Sequence, residues 1–278
     1  MVRRLAPLLA LALAACTAAP AQEAGPPQSA PTVVSLNPCT DAILAEVAEP
    51  QQILAISAYS HDPAASSMDL ATARRFRAVS GTVEEVLALH PDLVVGSTFT
   101  PPATAQAMAR LGMRFEQFGM AGTVEESEAQ VRRLAALAAH PERGEALIAR
   151  MRAALDANRA PAGEAVSALV WQSGGIVPGE GTLIADLLRR TGFANAAAAR
   201  GLGQADILPL EQVLADPPRL ILAASHGAGN EDRMLAHPAL AKLQGTRREV
   251  LDPSLLWCGG PTIIRAAERL GVVRRSIR

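Results

Sequence analysis

The feature that most constrains this chain is a change of period along its length. From Thr32 to Phe118, short β-branched runs alternate with helical stretches, and from Val166 to Leu270 the same alternation returns. Between them, residues 123–158 hold no strand pattern at all. Alternating strands and helices of this length read as parallel βαβ units, whose crossovers must lie on the faces of the sheet. The spacing predicts strands over 32–36, 53–58, 92–96, 113–118, 166–171, 219–223 and 249–251. It predicts helices over 41–48, 83–89, 102–111, 183–191, 211–215 and 262–270. The middle span reads as two amphipathic helices, 124–139 and 142–158, with Val131, Leu134 and Leu137 on one apolar stripe and Leu147, Ile148, Met151 and Leu155 on the other. His140-Pro141 separates them, because proline suits a first helical turn and not an interior. The expected fold class is therefore α/β: a βα lobe over 32–139, a connecting helix over 140–160, and a second βα lobe over 161–278, with parallel central sheets.

The first residues read as an export signal. Val2-Arg3-Arg4 is a cationic start, and residues 5–15 are an apolar run too short to span a bilayer, which takes roughly 20 helical residues. Ala19-Pro20-Ala21 offers cleavage after residue 21, releasing a soluble periplasmic protein. Leu13-Ala14-Ala15-Cys16 offers the alternative, cleavage after residue 15 with Cys16 lipidated. Residues 22–31 are a flexible leader rich in Ala, Pro, Gln and Gly. Loss of Arg3 and Arg4 takes the net charge from −1 to −3, which speaks against a protein built to grip nucleic acid. Beyond Cys16 only Cys39 and Cys258 remain, an even pair in an oxidising compartment. A disulfide, two buried free thiols and a thiolate pair on a metal or cofactor are the readings open to them.

Several stretches together resemble a known family. Val33-Val34-Ser35-Leu36-Asn37-Pro38 with Thr40-Asp41 looks like the opening of class III periplasmic substrate-binding proteins, which serve ABC importers for cobalamin, ferric siderophores and haem. Residues 82–95, a glutamate-bearing helix followed by Pro91-Asp92 and a strand, resemble the family's first-lobe segment. Leu210-Glu211-Gln212-Val213-Leu214-Ala215 with Arg219-Leu220-Ile221-Leu222 resembles its second-lobe counterpart. Gly174-Gly175, Pro178 to Leu183, and Gly192-Phe193-Ala194-Asn195 also fit. The resemblance covers about residues 32–270. It implies two rigid lobes on a helical backbone, a ligand cleft between them, and a monomer that meets an importer permease with its ATPase subunits. It also implies that Glu84 and Glu211 dock on permease arginines, a pairing for which a carboxylate's two oxygens suit the guanidinium fork. Register with Pro91-Asp92 favours Glu84 over Glu85.

Candidate ligand contacts lie in loops at strand ends: Asn37, Pro38 and Cys39, Tyr59 and His61, Trp171 and Gln172, and Trp257 before the final helix. Both tryptophans and the only tyrosine of the chain fall in this set, as a flat corrin or porphyrin face would require. His61 and His226 are candidate axial ligands. Arg74, Arg75 and Arg77 form a basic cluster that reads as a solvated surface or as an anchor for an anionic siderophore. No His and carboxylate spacing suggests a bare-metal site, and the chain is expected to carry no cofactor of its own. The cargo expected first is a cobalamin-like corrinoid, then a ferric siderophore or haem. A secreted α/β enzyme is the rival, but neither G-x-S-x-G nor H-E-x-x-H occurs, so the chain reads as a non-enzyme.

Overall fold

The structure, a computed structural model, describes residues 30–160, 163–225, 233 and 235–277. The export segment with Cys16, the leader up to residue 29, and His226 lie outside the described residues. The first sheet contains β1 (Val33–Ser35), β2 (Ile53–Ser57), β3 (Ala78–Val79), β4 (Leu93–Ser97) and β5 (Phe115–Phe118). All neighbours run parallel, in the order β3-β2-β1-β4-β5. Its crossovers carry α1 (Pro38–Val47), α2 (Leu70–Ala73), α3 (Val83–Leu87) and α4 (Pro102–Arg110). Then come α5 (Val124–Leu137) and α6 (Pro141–Ala157), with no strand between them.

The second lobe is built on β6 (Val166–Gln172), followed by the short β7 (Ile176–Val177), α7 (Leu183–Arg190), β8 (Phe193–Asn195), β9 (Asp206–Ile207), α8 (Leu210–Ala215), β10 (Leu220–Ala224), α9 (Pro238–Ala241), β11 (Arg247–Leu251) and α10 (Thr262–Ser276). Its main sheet is again parallel, in the order β11-β10-β6-β8, while β7 and β9 form a separate antiparallel pair. The strands that pattern alone did not predict, β3, β7, β8 and β9, are two or three residues long. They exist through pairing with a neighbour, so no local run announces them. Helix α10 runs past its expected end at Leu270 because its inward side stays apolar, with Gly271 and Val273 buried.

Period-two alternation explains how each sheet buries both faces. In β1 and β4, Val33, Leu93 and Val95 point into one large core, while Val34 and Val94 join Ala55, Val86 and Met108 on the opposite face. In the second sheet, Ala168, Val170, Leu220 and Leu222 enter the same large core, and Leu169, Trp171 and Ile221 face the other way. The large core is continuous from one sheet to the other through α1, α5, α6 and α10. Helix α6 packs on α1 of the first lobe and on α10 of the second. It is bound to α5 so closely that a Cβ on Gly144 would stand 2.6 Å from that of Ala135.

Charge pairs reinforce that helical layer. The Glu128 carboxylate, almost fully buried, takes a two-pronged bond from Arg152 at 2.7 and 2.5 Å, joining α5 to α6. Asp186 of α7 accepts the Val124 amide at 3.0 Å and so caps α5 from the neighbouring lobe. Both carboxylates are buried and their contacts are close, which gives them more weight than loose surface ion pairs.

Candidate ligand cleft

In a parallel sheet the loops at the carboxyl ends of the strands share one edge, and ligands bind along it. Here the carboxyl edges of the two sheets meet. Cys39, just after β1, is disulfide-bonded to Cys258, beyond β11, with Cα atoms 5.1 Å apart. Ser67, after β2, donates to the Ser254 carbonyl at 2.5 Å, and Arg265 of α10 donates back to the Ser67 carbonyl. The Gly260 amide donates to Ser127 Oγ at 2.7 Å. Gly260 has φ +58°, and a Cβ there would lie 2.6 Å from Ile43 Cγ1, so this crossing admits only glycine. At the far end, Gly122, after β5, closes on the Gly181 carbonyl. The disulfide thus ties lobe to lobe, which decides among the three readings open to the cysteines.

The sequence-predicted residues distribute unevenly over this edge. Asn37 caps α1, its Oδ1 accepting the Cys39 amide at 2.9 Å, and Pro38 occupies the first helical position. Their side chains shape the rim and hold Cys39 in place. Tyr59 stands 65% exposed in the turn after β2. His61, in the same turn, is half-buried, with Nε2 3.1 Å from the Ala73 carbonyl oxygen, so coordination would require breaking that contact. Trp257 is 47% exposed beside the buried Cys258. Gln172 ends β6, half-buried.

Trp171 is a correction. It is fully buried in the outer core of the second lobe, and its indole N–H donates to the Leu208 carbonyl at 3.2 Å. Alternation along β6 puts it opposite Val170, on the sheet face away from the shared core, so its ring offers no surface to a ligand.

Sequence reasoning missed other apolar groups on the edge. Phe99 follows β4 and is 72% exposed, and Met120 follows β5 and is 59% exposed. Ile176 and Ile207 face one another across β7 and β9, both exposed. The available signal was positional: Phe99 and Met120, like Tyr59, stand just after a strand of the first sheet.

Beneath Tyr59 lies a buried acid. Asp41 of α1 accepts Ser60 Oγ at 2.6 Å and the Ser57 amide at 3.0 Å on Oδ2, pinning the turn to the helix. Its Oδ1 has no partner among the described residues. Burial pushes its carboxyl up to about 8, against the opposing pull of the Ser35 and Ser60 hydroxyls and the Ser57 amide, and no charged side chain acts on it. A value near 8 favours the protonated form of Asp41 at pH 7.

The two outward glutamates occupy matching places. Glu84 is in the first turn of α3, before β4, and Glu211 in the first turn of α8, before β10. Both are exposed, and neither carboxylate has a hydrogen bond or ion pair among the described residues. Glu85 is occupied: it accepts the Ser80 amide at 2.9 Å and hydroxyl at 2.6 Å, which hold its carboxyl below its ordinary value.

Two parallel-sheet lobes, a helical backbone and a cleft along their facing edges define a bilobal binding protein of class III. The chain belongs to the periplasmic binding protein family, whose model matches residues 33–248, and it is a substrate-binding protein of the ABC-importer type. Among solved structures it is similar to the periplasmic heme-binding protein RhuT from Roseiflexus sp. RS-1 in apo form, with 21% identity and TM-score 0.68 over 89% of this chain and 98% of that one. A periplasmic heme-binding protein from Pseudomonas aeruginosa gives 23% and 0.67, over 89% and 94%. The periplasmic vitamin B12-binding protein BtuF of Vibrio cholerae gives 18% and 0.63, over 89% and 97%. No curated protein sequence matches the chain. No described helix is long and apolar enough to cross a membrane, and no group of three or more His, Cys, Asp or Glu among the described residues could hold a metal ion.

Proposed function

We propose that this protein captures a metal chelate of the tetrapyrrole type between its lobes and delivers it to an ABC importer, a cobalamin-like corrinoid being the first cargo. The observation that carries the reading is the set of exposed apolar side chains, Tyr59, Phe99, Met120 and Trp257, at the meeting edges of the two sheets. Flat macrocycles bury large apolar faces, and aromatic rings match them with little loss of side-chain freedom. A corrinoid also brings its own axial ligands, which suits an edge whose described histidine is engaged with backbone. Haem is the second reading: several structural neighbours are described as heme-binding, and the exposed Tyr59 phenol is a known type of haem ligand. Glu84 and Glu211 are the proposed contacts to the permease, one from each lobe, and the protein would act as a monomer in the periplasm, soluble or anchored through Cys16.

The test is fluorescence titration of the purified protein with cyanocobalamin, haemin and ferric siderophores. Trp171 is buried, so Trp257 is the tryptophan placed to report. Saturable submicromolar quenching, lost in Trp257→Phe while calorimetry still detects binding, supports the reading. Absence of binding across the panel sinks it.

A further inference from the structure

We infer that Asp41 is a positioning residue of the cleft: sealed below the rim, it holds the turn that presents Tyr59 and so sets how tightly cargo binds. This rests on the proposed chelate-binding role of the cleft and adds to it a residue beneath the surface. Tyr59 is bracketed in the chain by the two residues that Asp41 grips. The Ser57 amide at 3.0 Å and the Ser60 hydroxyl at 2.6 Å both donate to one oxygen, Oδ2. Ser57 Oγ in turn accepts the Tyr59 amide at 3.3 Å. Ser57 and Ser60 are buried while Tyr59 between them is exposed, so the turn has an anchored base and a free tip.

Asp41 belongs to a closed polar cluster with Ser35, Thr40, Ser57 and Ser60, all buried. The Ser35 and Thr40 hydroxyls are bonded at 2.7 Å, and Thr40 also donates to the Asn37 carbonyl at 2.9 Å. The cluster thus joins the ends of β1 and β2, the first turn of α1 and the Tyr59 turn. Helix α1 is secured twice more, by the disulfide at Cys39 and by Ile43, Leu44 and Val47 in the large core. Of the two parts that Asp41 joins, the helix is therefore fixed and the turn is the one that yields.

No counter-charge attends the acid. Strands β1 and β2 carry no titratable group. Glu46 of α1 is paired with Arg150 of α6 at 2.7 Å, Glu128 of α5 with Arg152 of α6, and Arg143 of α6 with Glu49. In the turn, His61 meets the Ala73 carbonyl, and Tyr59 and Asp62 are exposed. None of these acts on the Asp41 carboxyl, which burial pushes up to about 8. A neutral carboxyl fits this place. An ionised one leaves Oδ1, which has no partner among the described residues, as a bare charged oxygen sealed from water, and admitting water relieves that cost. The turn opens to do so, Tyr59 loses its fixed place, and ordering it again is charged against binding.

The experiment measures calorimetric affinity for cyanocobalamin and haemin from pH 6 to 9. If the competent protein is the one that keeps the Asp41 proton, wild-type affinity at pH 9 should be about tenfold below that at pH 7. Asp41→Ala should weaken binding by about five- to tenfold already at pH 7. Asp41→Asn, whose amide oxygen accepts from the same two donors and cannot ionise, should restore most of that loss and abolish the alkaline decline. In a Tyr59→Ala background, Asp41→Ala should add less than about twofold, because it acts through that residue. Should Asp41→Ala not fold, Ser60→Ala, which removes one of the two donors, takes its place in the cycle. A decline that persists in Asp41→Asn, or effects at the two positions that simply multiply, overturns the inference and leaves the chelate reading standing. Hydrogen exchange over residues 57–62 gives a readout without cargo: protection should fall in Asp41→Ala and recover in Asp41→Asn. If neither probe binds, the chelate reading falls, and unchanged exchange in Asp41→Ala would also overturn the hold of Asp41 on Tyr59.

Discussion

The two lobes repeat one topology. Reading outward through the first strand of each, β2-β1-β4-β5 in the first lobe corresponds to β8-β6-β10-β11 in the second. Helix α1 then matches α7, α3 matches α8 and α4 matches α9. What differs is how the end of the first strand is secured. In the first lobe, a cap by Asn37, a buried acid at Asp41 and a disulfide at Cys39 fix the loop after β1 and the neighbouring turn. In the second lobe, the corresponding strand β6 ends in an apolar plug, Trp171, with the β7–β9 pair beyond it. The first strand end is thus secured by a polar side-chain network and a disulfide, and the second by a buried indole with one hydrogen bond to the Leu208 carbonyl.

That contrast can be attacked from both sides, beginning with the first lobe's acid, where the largest effect is expected. Asp41 has a folded-state value of about 8 against an ordinary value of 3.8. The folded protein thus keeps a proton that the unfolded chain has lost. Stability is fully present below about pH 4 and declines as pH rises through about 8, with a limiting slope of about 1.4 kcal/mol per pH unit. Urea denaturation from pH 5 to 9 should show this decline in the wild type and a flatter profile in Asp41→Asn. Parallel profiles would mean that Asp41 is ionised in the fold.

Trp171→Ala should cost about 3–5 kcal/mol, as for other large core truncations. Trp257→Ala should cost under about 1 kcal/mol and instead weaken cargo binding. The two midpoints and the two cargo affinities together separate core from rim, and an equal loss of stability in both variants would contradict the difference in their burial.

Next in size is the covalent tie. Cys39→Ser/Cys258→Ser should lose about 2–4 kcal/mol and widen the distribution of distances between spin labels placed one on each lobe. An unchanged distribution would show that α6 and the Gly260 crossing suffice to hold the lobes.

The smallest effect on stability belongs to the matched glutamates. Glu84→Arg and Glu211→Arg should each change stability by no more than about 0.5 kcal/mol and leave cargo affinity intact. Transport in reconstituted vesicles should fall sharply for both. Loss at one position alone would show that the lobes' topological equivalence is not matched at the permease.

Much of this architecture is legible in the chain itself, for local reasons. Strands such as Leu93–Ser97, with a proline-aspartate before them, and helices such as Val124–Leu137, with their apolar stripes, announce themselves because period and capping act over a few residues. The first-turn positions of Glu84 and Glu211 are local in the same way, while their docking role comes only from the family resemblance. The two- and three-residue strands β3, β7, β8 and β9 could not be read this way, since a strand that short is defined by its partner.

The residues at the cleft divide along the same line. The sequence by itself determined which loops follow strands, so it placed Tyr59 and Trp257 at strand ends, and it determined that Cys39 and Cys258 form an even pair. Only the tertiary structure decided that those cysteines join one lobe to the other, that Trp171 turns inward while Trp257 does not, and that Phe99 and Met120 stand on the same edge as Tyr59. It also decided that Asp41, on paper an ordinary first-turn acid of a helix, is sealed from water, which pushes its carboxyl up to about 8. The physical reason is common to all four: pattern reports what a residue does to its own neighbours in the chain, whereas burial, bridging and protonation depend on distant segments that reach the same place only when the two sheets meet.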